Sequence, residues 1–270
     1  MLNREFFIIM DRLYATLSQR LKDWRSIKNE ISKGTLSFFG FGSASLYKKP
    51  EMQQLTIERM TVAYDLAAAF RYMHDNKLVY RDMKKENIGF DVRGDVKIFD
   101  FGLSKCLSEK ARFKDSCGRP AYGYNLTPRT GSIPFMAPEV CRADPYSVEC
   151  DVFSFAILLW ELLALKPAYS GYSRREYMDR VVRNKERPSI HKHWPPLTRF
   201  ILSEAWDDNP QKRPTMKRFA AMIRGDLNDM SSDSSIQNRT KHMKDRSAHS
   251  FRLSRRIVSD RREAESQHNT

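Results

Sequence analysis

The densest run of side chains able to do chemistry is Tyr80-Arg81-Asp82-Met83-Lys84-Lys85-Glu86-Asn87. A carboxylate, a lysine two residues on and an asparagine five residues on suit phosphoryl transfer. That reaction needs a group to accept a hydroxyl proton, a cation to neutralise the moving phosphate and an oxygen donor for a metal ion. The bland alternative is a solvated polar loop. A second motif weakens it, because Asp100-Phe101-Gly102 comes thirteen positions after Asn87, behind the short apolar run Val96-Lys97-Ile98-Phe99.

The first run resembles the catalytic loop of the protein kinases, HRDLKxxN, with Tyr80 in the histidine position, a substitution found in some active kinase groups. Asp100-Phe101-Gly102 resembles the metal-binding DFG motif of the same family. Three more motifs come in family order. Ala137-Pro138-Glu139, preceded by Thr130-Gly131-Ser132, looks like the end of an activation segment; Asp151-Val152-Phe153-Ser154-Phe155-Ala156 looks like the start of the central kinase helix; Asn209 to Pro214 carries the late arginine. The resemblance implies an α+β, mainly α-helical fold: a protein-kinase-like C-lobe with the hinge and the last N-lobe strand, the N-lobe otherwise absent. The flavour is closest to the tyrosine-kinase-like group of serine/threonine kinases.

By that resemblance Asp82 is the catalytic base and Lys84 the phosphate-neutralising cation, while Asn87 and Asp100 hold magnesium. Lys84 points to serine/threonine specificity. Met10, Asp11 and Leu13 occupy the hinge facing the adenine of ATP, and Gly89 stands where the family usually has a branched residue under that ring. Its missing side chain is expected to weaken nucleotide packing. Ser132 is expected to pack on the catalytic loop, Asp151 to cap its helix and hold the loop's backbone, and Glu139 to pair with Arg213. Arg81, ahead of Asp82, and Phe101 are expected regulatory positions, with Thr127 and Thr130 as the phosphate acceptors that Arg81 would grip. The family's Gly-rich loop, its strand lysine and the glutamate that pairs with it find no counterpart in these residues. With that covering lobe missing, apolar surface around Met10, Leu13, Tyr80 and Phe101 is expected to lie open.

Several elements must position these residues. The run Glu5 to Leu13 reads as a buried strand leading into a connector, and Thr16 to Lys28 as a weak helix. From Ile31 to Gln54 glycines, serines and Pro50 read as a loop; the Gly40-Phe41-Gly42 pair is too slight to be a phosphate loop. From Thr56 to His74, Met60, Ala63, Ala67, Phe70 and Met73 recur at helical spacing. Leu78 to Tyr80 reads as a strand, and the runs Asn87 to Phe90 and Val96 to Phe99, flanking Arg93-Gly94-Asp95, read as a hairpin. Val152 to Leu165, apolar nearly all round, reads as a buried central helix, and shorter helices are expected at 174–184, 197–206 and 216–223. The domain organisation is therefore 1–225 kinase domain and 226–270 disordered mixed-charge tail.

Composition fits one domain with an appendage: 270 residues, 41% hydrophobic and 30% charged. The net charge of +14 is not the tail's, since residues 226–270 hold nine Lys/Arg against seven Asp/Glu. The remaining basic residues lack interleaved aromatics for stacking bases, so specific nucleic-acid binding is not expected and solvated basic faces are. No apolar run is long enough to span a membrane, and the four cysteines lack CxxC spacing, so a cytoplasmic, intracellular, soluble protein with free thiols is expected. The function expected is a protein serine/threonine kinase using ATP and magnesium on a protein substrate, with activity doubtful without an N-lobe. The alternative is a pseudokinase-type protein-binding module.

Overall fold

The computed structural model describes residues 12–33 and 44–231. The expected hinge residues Met10 and Asp11, the strand reading of 5–11, the Gly40–Gly42 pair and the tail from 232 onward lie outside them.

The chain enters through β1 (Ala15–Thr16) and turns at once into α1 (Leu17–Lys33). Thr16 and Gln19 form a reciprocal cap: the Gln19 amide donates to Thr16 Oγ1 and the Thr16 amide to Gln19 Oε1. Leu17, Leu21, Trp24 and Ile31 make the buried stripe of α1. α2 (Ala44–Asp75) is the longest helix among the described residues. The expected loop at 31–54 is therefore corrected at both ends, since 31–33 close α1 and 44–54 already belong to α2 with Pro50 inside it. Glycines, serines and a proline signalled a break. Docking of Leu55, Ile57, Met60 and the residues beyond them into the core offsets the one ladder bond that Pro50 removes.

After α2 come β2 (Leu78–Val79), β3 (Ile88–Phe90) and β4 (Val96–Ile98). β3 and β4 form the expected hairpin, in the register Ile88 with Ile98, Gly89 with Lys97 and Phe90 with Val96; β1 adds to the other edge of β3. The side chain of Asp91 holds the turn by accepting from the amides of Arg93 and Asp95. β5 (Lys105–Cys106) pairs antiparallel with β2, and β6 (Arg112–Lys114) with β7 (Pro120–Tyr124), a hairpin that nothing in the sequence pattern of this stretch anticipates.

The second half is helical: α3 (Pro138–Arg142), α4 (Glu149–Ala164), α5 (Arg174–Glu176) running into a π-helical turn at Tyr177–Arg183, α6 (Pro196–Ala205) and α7 (Met216–Met230). α4 is buried along nearly its whole length, as its all-round apolar sequence predicts. α2 and α6 pack on it and α7 packs on both of those. Phe155 of α4 meets Phe219 of α7 edge to face at 4.8 Å and Phe70 of α2 at 6.4 Å. Cys141 and Cys150 are buried, Cys106 and Cys117 exposed, and all four are free. No helix among the described residues is long and apolar enough to cross a membrane.

α7 runs on past the expected boundary at 225, to Met230. Asp226 is 1% exposed and accepts hydrogen bonds from the amides of Leu197 and Thr198 and from Thr198 Oγ1, so it caps the start of α6 from a neighbouring helix. Composition made 226–230 look like tail because the apolar Leu227 and Met230 stand among polar residues. Replacing the acceptor leaves two buried amides and a hydroxyl short of a partner. Asp226→Ala is therefore expected to lose about 2–4 kcal/mol, read as a lower urea midpoint at unchanged slope. A midpoint equal to the parent's would return these residues to the tail.

Candidate active site

The loop after β2 is the centre of the site, and the core helix α4 holds it. Asp151, fully buried in the first turn of α4, accepts the Tyr80 amide on Oδ2 at 2.8 Å and the Arg81 amide on Oδ1 at 2.9 Å. His74 Nε2, at the end of α2, donates to the same Oδ2 at 3.0 Å. The expected grip on the loop backbone is therefore present. The expected cap is not: α4 starts at Glu149 after Val148, which leaves Asp151 inside the helix with its carboxylate turned to the loop. With its two amides fixed, the backbone at Arg81 takes φ 71°, a conformation non-glycine residues adopt only where the surroundings impose it.

Asp82 comes next, 5% exposed. Its Oδ1 accepts Ser132 Oγ at 2.9 Å, and its Oδ2 accepts Lys84 Nζ at 2.7 Å and Asn87 Nδ2 at 3.0 Å. Burial pushes the carboxyl upward, but the bonds from Lys84, Ser132 and Asn87 and the charge on Lys84 outweigh it and hold the group below the usual carboxylate range. Ser132 reaches it because Gly131, at φ 102°, lies directly on the Arg81 carbonyl, where a β-carbon would collide with the oxygen. The expected packing of Ser132 on the loop thus takes the form of a hydrogen bond to the carboxylate itself.

Asn87 is 4% exposed and its Nδ2 also donates to the Asp82 carbonyl at 3.1 Å. Its amide oxygen is left outside those bonds. The Phe99 amide donates to the Asn87 carbonyl, extending the β3–β4 ladder by one step and setting Asp100 just past its end. Asp100 is exposed, at φ 59°, and its carboxylate accepts the Gly102 amide at 3.3 Å. An amide oxygen and an open carboxylate are hard donors suited to magnesium, which takes one or two protein oxygens and completes its shell with water and phosphate.

Tyr80 ties the two motifs together, a contact that sequence reasoning missed. Its hydroxyl donates to the Phe99 carbonyl at 2.6 Å and its ring packs edge to face on Phe101 at 5.5 Å and Phe70 at 5.6 Å. Burial pushes the phenol up, the Asn87 amide opposes this, and the carboxylates of Asp82, Asp100 and Asp151 add to it, so the hydroxyl stays a donor. The expectation of open surface holds at Phe101, 48% exposed, and is corrected at Tyr80, 1% exposed, because α2 and Phe101 cover its ring. Leu13 is half-buried. It packs over Gly89: a β-carbon there would stand 2.7 Å from Leu13 Cδ1. The space left by the missing side chain is filled by Leu13.

Arg81 Nε donates to the Leu103 carbonyl at 2.6 Å and Nη1 to the Tyr146 hydroxyl at 3.1 Å. Tyr146 donates onward to the Thr127 carbonyl at 2.7 Å. Thr127 is exposed, and Thr130 bonds its own turn at the Thr127 carbonyl. Nothing near Tyr146 in the sequence could have signalled this link, since it stands far along the chain from Arg81. The expected pair of Glu139 and Arg213 is present as two bonds of 2.6 and 2.8 Å between buried side chains. Arg213 also donates to the carbonyls of Asp207 and Glu149. This fastens α3, and with it the segment bearing Ser132, to the start of α4.

The family model described as protein kinase domain matches residues 44–222. The chain is 31% identical over 183 residues to serine/threonine-protein kinase STY17 of Arabidopsis thaliana, a stretch of 68% of this chain and 30% of that protein. It is 37% identical over 169 residues to the probable serine/threonine-protein kinase drkC of Dictyostelium discoideum, 60% of this chain and 21% of that protein. To the serine/threonine/tyrosine-protein kinase HT1 of Arabidopsis thaliana it is 30% identical over 184 residues, 67% of this chain and 44% of that protein. The chain thus spans less than half the length of each of these relatives.

Lys84 is the nearest cation to the Asp82 carboxylate, so Lys84→Gln removes a charge and a charge-assisted hydrogen bond together. A carboxyl held down by its partners stays ionised above the pKa of an unfolded aspartate, about 3.9, and loses that stabilisation only as pH falls through its lower folded value. In Lys84→Gln the Asp82 carboxyl carbon, followed by NMR against pH, is expected to titrate at higher pH than in the parent. An unchanged titration would mean that Lys84 does not set the charge of Asp82.

Proposed function

This chain belongs to the protein kinase family, and on that premise we propose that it transfers the γ-phosphoryl group of ATP to serine and threonine hydroxyls of a protein substrate. The observation that carries the reading is the Asp82 carboxylate: buried, kept ionised, and oriented from three sides by Lys84, Asn87 and Ser132. Asp82 takes the proton of the attacking hydroxyl, and the protonated carboxyl is within reach of the same three partners. Lys84, 2.7 Å from Asp82, neutralises charge that builds on the transferring phosphoryl group. Magnesium bound by the Asn87 amide oxygen and the Asp100 carboxylate would shield the nucleotide phosphates. Asp151 keeps the loop rigid so that this geometry needs no rearrangement during the reaction. Met10, Asp11 and Leu13 would line the adenine side, with Gly89 under the ring. Serine/threonine choice rests on Lys84; the similarity to a serine/threonine/tyrosine kinase makes acceptor type a matter for measurement.

The test is phosphoryl transfer from labelled ATP to a basic protein carrying serine, threonine and tyrosine, followed by phosphoamino-acid analysis. Asp82→Asn is expected to lower transfer by at least a hundredfold, with phosphoserine and phosphothreonine as the parent's products. Equal rates in parent and variant would overturn the role of Asp82. Absence of transfer by both would favour the protein-binding module.

We propose further that a phosphate on Thr127 or Thr130 draws Arg81 away from the Leu103 carbonyl and Tyr146 hydroxyl it now holds. Mass spectrometry of the active protein is expected to find one of the two threonines modified. Thr127→Ala or Thr130→Ala should then lower transfer as Arg81→Ala does. Full activity of both threonine variants, with neither site modified, would overturn it.

A further inference from the structure

Away from the catalytic loop, a cavity of about 480 Å³ opens where α1, α2, the C-terminal end of α4 and the 189–195 loop meet. Its walls bring together the cations Lys28, Arg59 and Lys166, the imidazoles of His191 and His193, the hydroxyls of Thr56 and Ser189, and the indoles of Trp160 and Trp194. No carboxylate is among the described lining residues. The volume is in the range that takes a whole small ligand.

Arg59 is the built part of this site. It is 4% exposed, yet among the described residues none of its bonds goes to an acid: Nε donates to the Leu55 carbonyl, Nη1 to the carbonyls of Leu162 and Leu163, and Nη2 to Thr56 Oγ1. As a cap for the C-terminal carbonyls of α4 it is well used. Those bonds take four of the five guanidinium N–H groups and leave the charge, among the described residues, without a counter-ion within hydrogen-bonding distance. Burial pulls its pKa down to about 10, with Glu58 opposing. Lys28 is also lowered, by burial first and then by repulsion from Arg59 and Lys166. Lys166 is steered over the cavity by the Trp160 ring, its Nζ 5.5 Å from the centroid, and Trp160 is itself pinned by a bond from Nε1 to the Ser189 carbonyl. Three cations therefore line one concave wall, and the charges of Arg59 and Lys166 bear on the ammonium of Lys28. An anion placed among them would be stabilised by all three and would remove their mutual repulsion.

We propose that this cavity is a binding site for a small soluble polyphosphate or phosphate ester, separate from the catalytic loop. Phosphate suits it better than a carboxylate because it brings close to two negative charges and several acceptor oxygens to match three cations, two hydroxyls and two imidazoles. A soluble ligand suits it better than a lipid headgroup because the cations line a concavity walled by two indoles, where a flat basic face would serve a membrane surface.

The experiment is titration of the full chain with inorganic pyrophosphate, followed by tryptophan fluorescence, since two of the four tryptophans line the cavity. The parent and an Asn87→Ala/Asp100→Ala variant are expected to show the same saturable change, which separates this site from the proposed nucleotide site. Lys28→Gln/Lys166→Gln, which leaves the Arg59 cap on α4 in place, is expected to bind at least tenfold more weakly, about 1.4 kcal/mol, while keeping the parent's melting temperature without ligand. Binding lost in the Asn87/Asp100 variant, or retained in the lysine variant, overturns the proposal. So does binding of phosphatidylcholine vesicles carrying a phosphoinositide, lost in the lysine variant, in the absence of pyrophosphate binding.

Discussion

The site depends on one buried carboxylate. Asp151 sits in the first turn of the most buried helix among the described residues and spends both oxygens on two successive amides of the loop that carries Asp82. Such a charge is stable in the interior only when hydrogen bonds replace its lost hydration. The loop amides and His74 do this together, so the core and the loop stabilise each other and neither arrangement is available without the other. The left-handed backbone at Arg81, the close approach of Gly131 to its carbonyl and the reach of Ser132 to Asp82 all derive, one from the next, from that anchor.

A buried ion pair does the same work from the opposite side. Glu139 and Arg213 join the segment after the β6–β7 hairpin to the start of α4, so Ser132 and Asp82 reach each other from elements fixed to the same helix. Both fastenings are made inside the protein and are little affected by salt, whereas the ion pairs at Arg71, Arg119 and Arg183 are exposed and contribute little.

Much of this was legible in the sequence because short motifs bring their own spacing. Asp82, Lys84 and Asn87 converge within one loop, and the β3–β4 hairpin could be read from two apolar runs around a glycine turn. The central helix was legible from a composition that is apolar nearly all round. What could not be read came from contacts between distant residues: Tyr146 between Arg81 and Thr127, Tyr80 on the Phe99 carbonyl, and Asp226 on the start of α6. The loop reading at 44–54 failed for the opposite reason. Local breakers were weighed there without the burial of the next turns, which decides whether a helix extends across a proline. The capping role given to Asp151 failed by three residues, because α4 begins earlier than its first motif residue.

The contact of Leu13 with Gly89 makes one shared volume out of two separate stretches of chain. The room between β3 and the stretch bearing Leu13 is set by the sum of the two side chains, so neither position is free to change size by itself. A bulkier residue at 89 is compatible with the fold when 13 is shortened in the same step, and a shorter residue at 13 opens a gap unless 89 grows. In a lineage of such chains the two sites would drift as a correlated pair, with the width of the floor passing back and forth between them.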